Sequence, residues 1–377
     1  MTIIKIFNNI ANSIRSKLGI SSKITPNNYS TEISKIVTSN TINKTSGTGS
    51  VTAKCEGLIK YSGSISRLNE IKSYFAATTV GSYALFGGAG GSEPSATVDT
   101  YNSSLTHGTT TDLSVGRYAL AATTVGDYAL FAGGTGIGSN LATADTYTSS
   151  LVKGIAADLS VSKSGLAATS VGSYALFGGG DSGVYLNTVD SYNSSLVHGS
   201  PTDLSQARSD LAATTINNYA LFGGGLIIST HTYFSTVDTY NSSLSKGTAT
   251  GLGVARYALA ATTVGSYALF GGGNVHGLSA AIDTYNFSLS KSTAEYLSQA
   301  RSSLAATTVN TYALFGGGAN GSEELISDRV DAYNLSLSHS IVTDLSRSRA
   351  FLAATTVGNY AIFAGGTVDS VDVYSSI

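Results

Sequence analysis

From residue 75 onward the apolar positions follow one pattern, written seven times. Its clearest copy is LAATTVGSYALFGGGN at 259–274, and near copies start at 75, 120, 166, 211, 304 and 352. Taking the Tyr of Y-A-[LI]-F as the marker, Tyr83, Tyr128, Tyr174, Tyr219, Tyr267, Tyr312 and Tyr360 lie 45, 46, 45, 48, 45 and 48 residues apart. Gly clusters and β-rich runs at that period predict four short strands per unit, which is one blade of a propeller. Strand A is LAATTV (259–264), small enough for crowding near an axis. Gly265-Ser266 makes a two-residue hairpin turn. Strand B is YALF (267–270), apolar throughout, as expected of a strand buried on both faces. The Gly triplet 271–273 lets backbone pack closely. Strand C is AIDTY (281–285) and strand D runs over about 290–297. The last unit stops after VDVY (371–374) and lacks strand D. The segment KYSGSISRLNEIK (60–72) aligns with LTHGTTTDLSVGR (105–117), so about residues 60–68 are expected to supply that outer strand and close the ring. The fold class is therefore all-β, a seven-bladed propeller over 57–377.

A different pattern precedes it. Phe7, Ile10, Ile14 and Leu18 have helical spacing and end at Gly19. Thr25-Pro26 opens a second predicted helix through Tyr29, Ile33, Ile36 and Val37. Two short amphipathic helices have too little core to stand alone, so residues 1–38 are expected to dock on something. Residues 39–56, rich in Ser, Thr and Gly, read as a flexible linker.

Composition narrows the function. Hydrophobic content is 42%, charged content 12% and net charge −2, which implies no basic face for nucleic acid. No apolar run reaches the roughly 18 residues a membrane helix needs. The single cysteine, Cys55, allows no internal disulfide and has no designated catalytic partner. The Glu residues are scattered, no H-x-x-x-H or C-x-x-C occurs, and each Gly triplet leads to another strand rather than to a helix N-terminus. The expectation is a non-enzymatic protein with no cofactor and no metal.

The double Gly after strand B, the V-D-x-Y of strand C and the basic residue before strand A resemble kelch-repeat β-propellers over residues 57–377. One departure is the Trp that kelch repeats usually carry in the last strand, since this chain has none. The resemblance implies that the B–C loops and the D–A connections share one face. Those B–C loops hold 8, 9, 8, 11, 8, 11 and 4 residues, and they account for every change in unit length. A constant frame with one variable face is how binding modules are built. Tyr185, Ile227, Ile228, His231, Tyr233 and Phe234 are the candidate contact residues, with Glu323, Glu324 and Arg329 in the charged sixth loop. Lys72, Arg117, Lys163, Arg208, Arg256, Arg301 and Arg349 recur before strand A; Asp99, Asp145, Asp190, Asp238, Asp283, Asp331 and Asp372 recur in strand C. Such residues serve either blade packing or, for the cations, a channel rim that receives an anion. His107, His198 and His339 share a position with Lys153, Lys246 and Lys291, which reads as a solvated turn.

The stretch IANSIRSKLGISSKITPNNYSTEISKIV (10–37) is similar to segments of phage tail and baseplate proteins from Gram-positive hosts. That resemblance implies a tail fibre or receptor-binding component, made in the bacterial cytoplasm without a signal peptide. Its helices would hold other tail or baseplate proteins, and its propeller would bind a host-surface glycan or protein. A homo-oligomer, a trimer by analogy with tail fibres, goes with it. The alternatives are a structural tail scaffold and, more weakly, an enzyme acting on surface glycan.

Overall fold

The computed structural model describes residues 59–321 and 325–376. The expected helices, with Phe7, Ile10, Ile14, Leu18, Tyr29, Ile33 and Ile36, and the linker lie outside the described residues.

Seven antiparallel four-stranded sheets follow one another along the chain, each ordered A-B-C-D. In blade 5 the strands are Ala260–Val264, Tyr267–Gly271, Ile282–Asn286 and Lys291–Thr293. Strand A of each blade touches strand A of the next, and that of blade 1 touches that of blade 7, so the ring is closed. In the seventh sheet Ile59–Ser64 pairs with Val371–Ser376, beside strands B and A of the last blade. A bulge between Tyr61 and Gly63 shifts its register.

The apolar run of strand B serves two interfaces at once. Ala268 and Phe270 pack with Ile216, Leu221 and Val237 of blade 4, while Leu269 turns the other way, toward Ala313 and Phe315 of blade 6. All three strand-B side chains are fully buried. Each such Leu or Phe contributes about 1.5–3 kcal/mol relative to exposure, and seven equivalent interfaces repeat the gain. Tyr285 of strand C meets Phe270 edge-on at 5.9 Å, and its hydroxyl donates to the Thr250 carbonyl at 2.7 Å. Tyr285→Phe leaves that carbonyl without its partner and is expected to lower unfolding free energy by about 0.5–1.5 kcal/mol, read by denaturant titration.

The second Gly of each triplet is Gly in all seven copies, whereas Ala132, Ala364 and Ala89 replace its neighbours. The reason is steric. At Gly272 φ is 69°, and a Cβ would sit 2.6 Å from the Arg301 carbonyl oxygen of the next blade. No side chain fits there.

Around the axis the alternation of strand A leaves threonine hydroxyls facing their neighbours. Thr263 donates to the Thr215 carbonyl, Thr124 to that of Thr79 and Thr79 to that of Thr356, each at 2.6 Å. The opposite end, where the D–A connections arrive, is closed by backbone. Tyr74 N–H donates to Phe351 (3.2 Å), Ala119 to Tyr74 (2.6 Å), Gly165 to Ala119 (2.9 Å) and Asp210 to Gly165 (2.9 Å). Ala258 donates to Asp210 (3.0 Å), Ser303 to Ala258 (2.8 Å) and Phe351 to Ser303 (3.0 Å), which completes a circle of seven. All seven residues are left-handed, with φ between 51° and 63°. Six are not glycine, and for those the conformation costs roughly 1 kcal/mol or more, which the circle and the leucines beneath it must offset.

Candidate functional site

The segment between strand D of one blade and strand A of the next ends in a basic residue followed by three positions of distinct use. The basic residue itself points into its blade. Arg256 meets Asp283 at 2.7 Å and the Phe270 carbonyl at 3.0 Å. The other six pairs are Lys72–Asp99 (3.4 Å), Arg117–Asp145 (2.6 Å), Lys163–Asp190 (2.8 Å), Arg208–Asp238 (2.8 Å), Arg301–Asp331 (2.6 Å) and Arg349–Asp372 (2.8 Å). All seven cations are fully buried. The channel-rim reading of Lys72, Arg117, Lys163, Arg208, Arg256, Arg301 and Arg349 is therefore corrected. A cation that is out of water and neutralised by its own blade offers nothing to an incoming anion. These residues fasten each D–A connection to the sheet it leads into.

The solvated-turn reading of the His/Lys position is corrected as well. Strand D lies beside strand C, so this residue reaches the same carboxylate from the other side. His107, His198 and His339 bring Nε2 within 2.8, 2.8 and 2.6 Å of Asp99, Asp190 and Asp331. Lys153, Lys246 and Lys291 do the same for Asp145, Asp238 and Asp283. In blade 7 the closing strand supplies the Tyr61 and Ser64 hydroxyls instead, at 2.6 and 2.8 Å from Asp372. Burial works to raise the Asp331 carboxyl; the Arg301 charge, the Ser298 N–H and His339 outweigh it, so the group lies below the usual carboxylate range. Asp238 and Asp190 are also held low against burial, by Ser205 with Arg208 and by Lys163 respectively.

The residue after the cation bridges to the first residue of a B–C loop: Tyr118 to Thr135, Ser164 to Asp181, Tyr257 to Asn274 and Ser302 to Ala319. The D–A connections and the B–C loops therefore do share a face. On it, several candidate contact residues are occupied in joining loops. The half-buried Tyr185 accepts a hydrogen bond from the Ile228 N–H at 2.9 Å, linking the loops of blades 3 and 4. Tyr233 stacks on Tyr257 at 5.5 Å and meets His276 edge-on at 4.8 Å, linking blades 4 and 5. Asn140 Nδ2 donates to the Asp181 carbonyl at 2.7 Å, linking blades 2 and 3. Ile227 and Phe234 are half-buried and His231 is exposed in a left-handed turn, so the apolar cluster expected at 227–234 is not one open patch. The short hairpin Leu226–Ile227 with Thr232–Tyr233 folds it back on itself. Arg329 pairs with Asp344 at 3.1 Å and is about half exposed. Glu323 and Glu324 lie outside the described residues.

Of the aliphatic side chains most open at the B–C loop tips, only Ile228 was singled out by the sequence. Ile137 is 80% exposed, Val184 65%, Ile228 63% and Leu325 57%, and each belongs to a different B–C loop. A signal existed for two of them, since Ile137 and Val184 directly follow a loop Gly and are the aliphatic residues farthest from either strand. Two residues after the cation, inside the crown of loops, lies the hydrogen-bonded circle, and the leucine position follows it. Its residues are of six kinds (Tyr74, Ala119, Gly165, Asp210, Ala258, Ser303, Phe351), and with the leucines and Phe75 below they line a depression of about 350 Å³. Among the described residues no group of three or more His, Cys, Asp or Glu is placed to hold a metal ion. No protein-family model and no curated protein matches this chain.

Proposed function

We propose that the chain is a binding module that engages its target through the face carrying the B–C loops. The observation that carries this reading is the contrast between a frame of constant length in seven blades and loops of varied length on one face, whose tips expose Ile137, Val184, Ile228 and Leu325. Exposed aliphatic side chains at four separate tips have no use in the frame and gain on meeting an apolar surface. They favour a protein target over a glycan. The finer reading is a receptor-binding or fibre component of a phage tail or tail-like particle. It rests on the likeness of residues 10–37 to tail and baseplate segments and on the kelch-like repeat. Residues 1–38 would hold the particle, and the loop face would meet the host. The same aliphatic tips also support a second reading, a tail scaffold that contacts neighbouring tail proteins.

Replacing Ile137, Val184, Ile228 and Leu325 together by Ser separates these readings. All four are exposed, so the melting temperature should hold within a few degrees. Loss of adsorption to host cells by roughly tenfold or more, with particles assembled normally, is the expected result. Failed assembly with adsorption retained by correctly formed particles favours the scaffold. Unchanged adsorption and assembly remove the loop face from both. Release of sugar from host envelopes by the purified chain would instead support a glycan-acting enzyme.

A further inference from the structure

At the circle on the axis, one rigid and equivalent position carries six kinds of residue in seven blades. Going round it, Tyr74 and Phe351 are neighbours, because blade 7 adjoins blade 1. Their rings stack at 4.2 Å with 24° between planes. Asp210 belongs to blade 4, which in a ring of seven lies diametrically opposite the junction of blades 7 and 1. The two arcs between them hold only Ala119 and Gly165 on one side and Ala258 and Ser303 on the other. An aromatic pair therefore faces a single carboxylate across a depression of about 350 Å³, with small residues keeping the span open. That is within the usual size of small-ligand sites, ~300–1,000 Å³.

Asp210 differs from every repeated aspartate of the blades. Among the described residues no cation stands within ion-pair distance of it, and its one side-chain hydrogen bond is a long one, 3.4 Å, from Ser209. Its side chain is exposed on the rim, yet the crowded loops around it raise its carboxyl above the ordinary aspartate range, chiefly by desolvation, opposed by Ser209 and reinforced by Asp181. Gly165 keeps the approach clear. A Cβ there would come within 3.3 Å of Asp210 Oδ1. Six leucines and Phe75 line the depression beside Tyr257 and Ser303, so it offers extended methylene contact, which suits an alkyl chain better than a sugar ring.

We propose that this axial depression binds an alkylammonium group, the end of a lysine side chain from a protein partner, with its methylenes against the leucines and the Tyr74–Phe351 pair and its ammonium on Asp210. The choice of a protein as the source rests on the reading of the loop face given above, because the aliphatic tips that surround the depression need an apolar counter-surface. A charge-assisted hydrogen bond to a carboxylate is the strong kind, and the aromatic pair opposite adds apolar contact for the methylenes.

The test uses the full chain and small probes: Nα-acetyl-lysine methylamide, its Nε-acetylated form and glucosamine, each titrated by ligand-observed NMR. The lysine probe should bind, and Nε-acetylation should weaken it by at least roughly tenfold. Asp210→Asn should weaken the lysine probe by about as much. Gly165→Ala gives an independent check, since Ala119 and Ala258 show that the circle accepts alanine in this conformation. It should weaken binding by crowding Oδ1, while the melting temperature falls by no more than the few degrees that a left-handed alanine costs. Equal affinity for the acetylated probe, or no loss in either variant, overturns the proposal. Glucosamine bound more tightly than lysine overturns the choice of ligand. If these fail while the loop-tip Ser variant still loses adsorption, the loop-face reading stands without the axial site. If both fail, neither survives.

Discussion

A chain that begins at Ser66 is expected to melt at least about 10 °C below one that begins at Gly57. The difference between them is the strand Ile59–Ser64, which forms the outer edge of the last sheet from the far end of the sequence. Its removal strips the hydrogen-bonding edge from Val371–Ser376. It also removes the Tyr61 and Ser64 hydroxyls that share Asp372 with Arg349, and the packing of Tyr61 on Tyr374 at 5.4 Å. The loss is several weak interactions at once, and an unpaired strand edge is a template for association. Calorimetry on the two chains reads the stability, and sedimentation reads whether the shorter one pairs edge to edge. Coincident melting curves would show that the seventh blade holds with three strands and that closure is dispensable.

The second large effect is expected at the buried ion pairs. Asp283→Ala leaves Arg256 with no counter-ion inside the blade and Lys291 with none beside it. Removing one partner of a buried pair costs about 3–5 kcal/mol, because the remaining charge stays out of water. Asp283→Asn keeps the shape and part of the hydrogen bonding and should cost less. Denaturant unfolding at neutral pH measures both, and a loss under about 1 kcal/mol for the Ala variant would mean that water reaches Arg256. Titration of the carboxylates gives the same interaction a pH signature. Asp190, Asp238 and Asp331 are held below the usual aspartate range in the folded chain. A depressed folded value means that their stabilisation is complete above the unfolded aspartate value of about 3.9 and is lost as pH falls through the folded ones. For these groups stability should change little from pH 7 to about pH 5 and fall steeply below pH 4.

Much of the frame was legible because each blade meets the same packing problem and answers it with the same residues. The expected YALF strand, 267–270, is observed as Tyr267–Gly271, and the expected 281–285 as Ile282–Asn286. Strand D was expected over about 290–297 and spans Lys291–Thr293. Beyond it the chain leaves the sheet and buries Leu297 between blades, a turn into the core that an outward-reading β pattern does not reveal. The site was harder to read. Arg256 and Asp283 recur once per unit, so both were visible, but their pairing across 27 residues was not. Repetition alone does not tell a buried fastening from an exposed rim. The circle at the axis left no trace in residue type, because Tyr, Ala, Gly, Asp, Ala, Ser and Phe have no chemistry in common. Its positions are chosen by backbone geometry, and that frees their side chains to vary.

The circle has an electrostatic consequence. In a helix the peptide dipoles add along the axis and leave partial charges at the ends. Here seven residues, each donating its N–H and accepting at its C=O, follow one another head to tail around a loop, so the in-plane components of their peptide dipoles cancel by symmetry. The annulus has no terminus at which an N–H or a carbonyl stands free for a visiting ion. Unlike the anion-binding end of a helix, it is close to field-neutral. The potential in the opening is left to the side chains standing on the rim, where one carboxylate is enough to decide its sign.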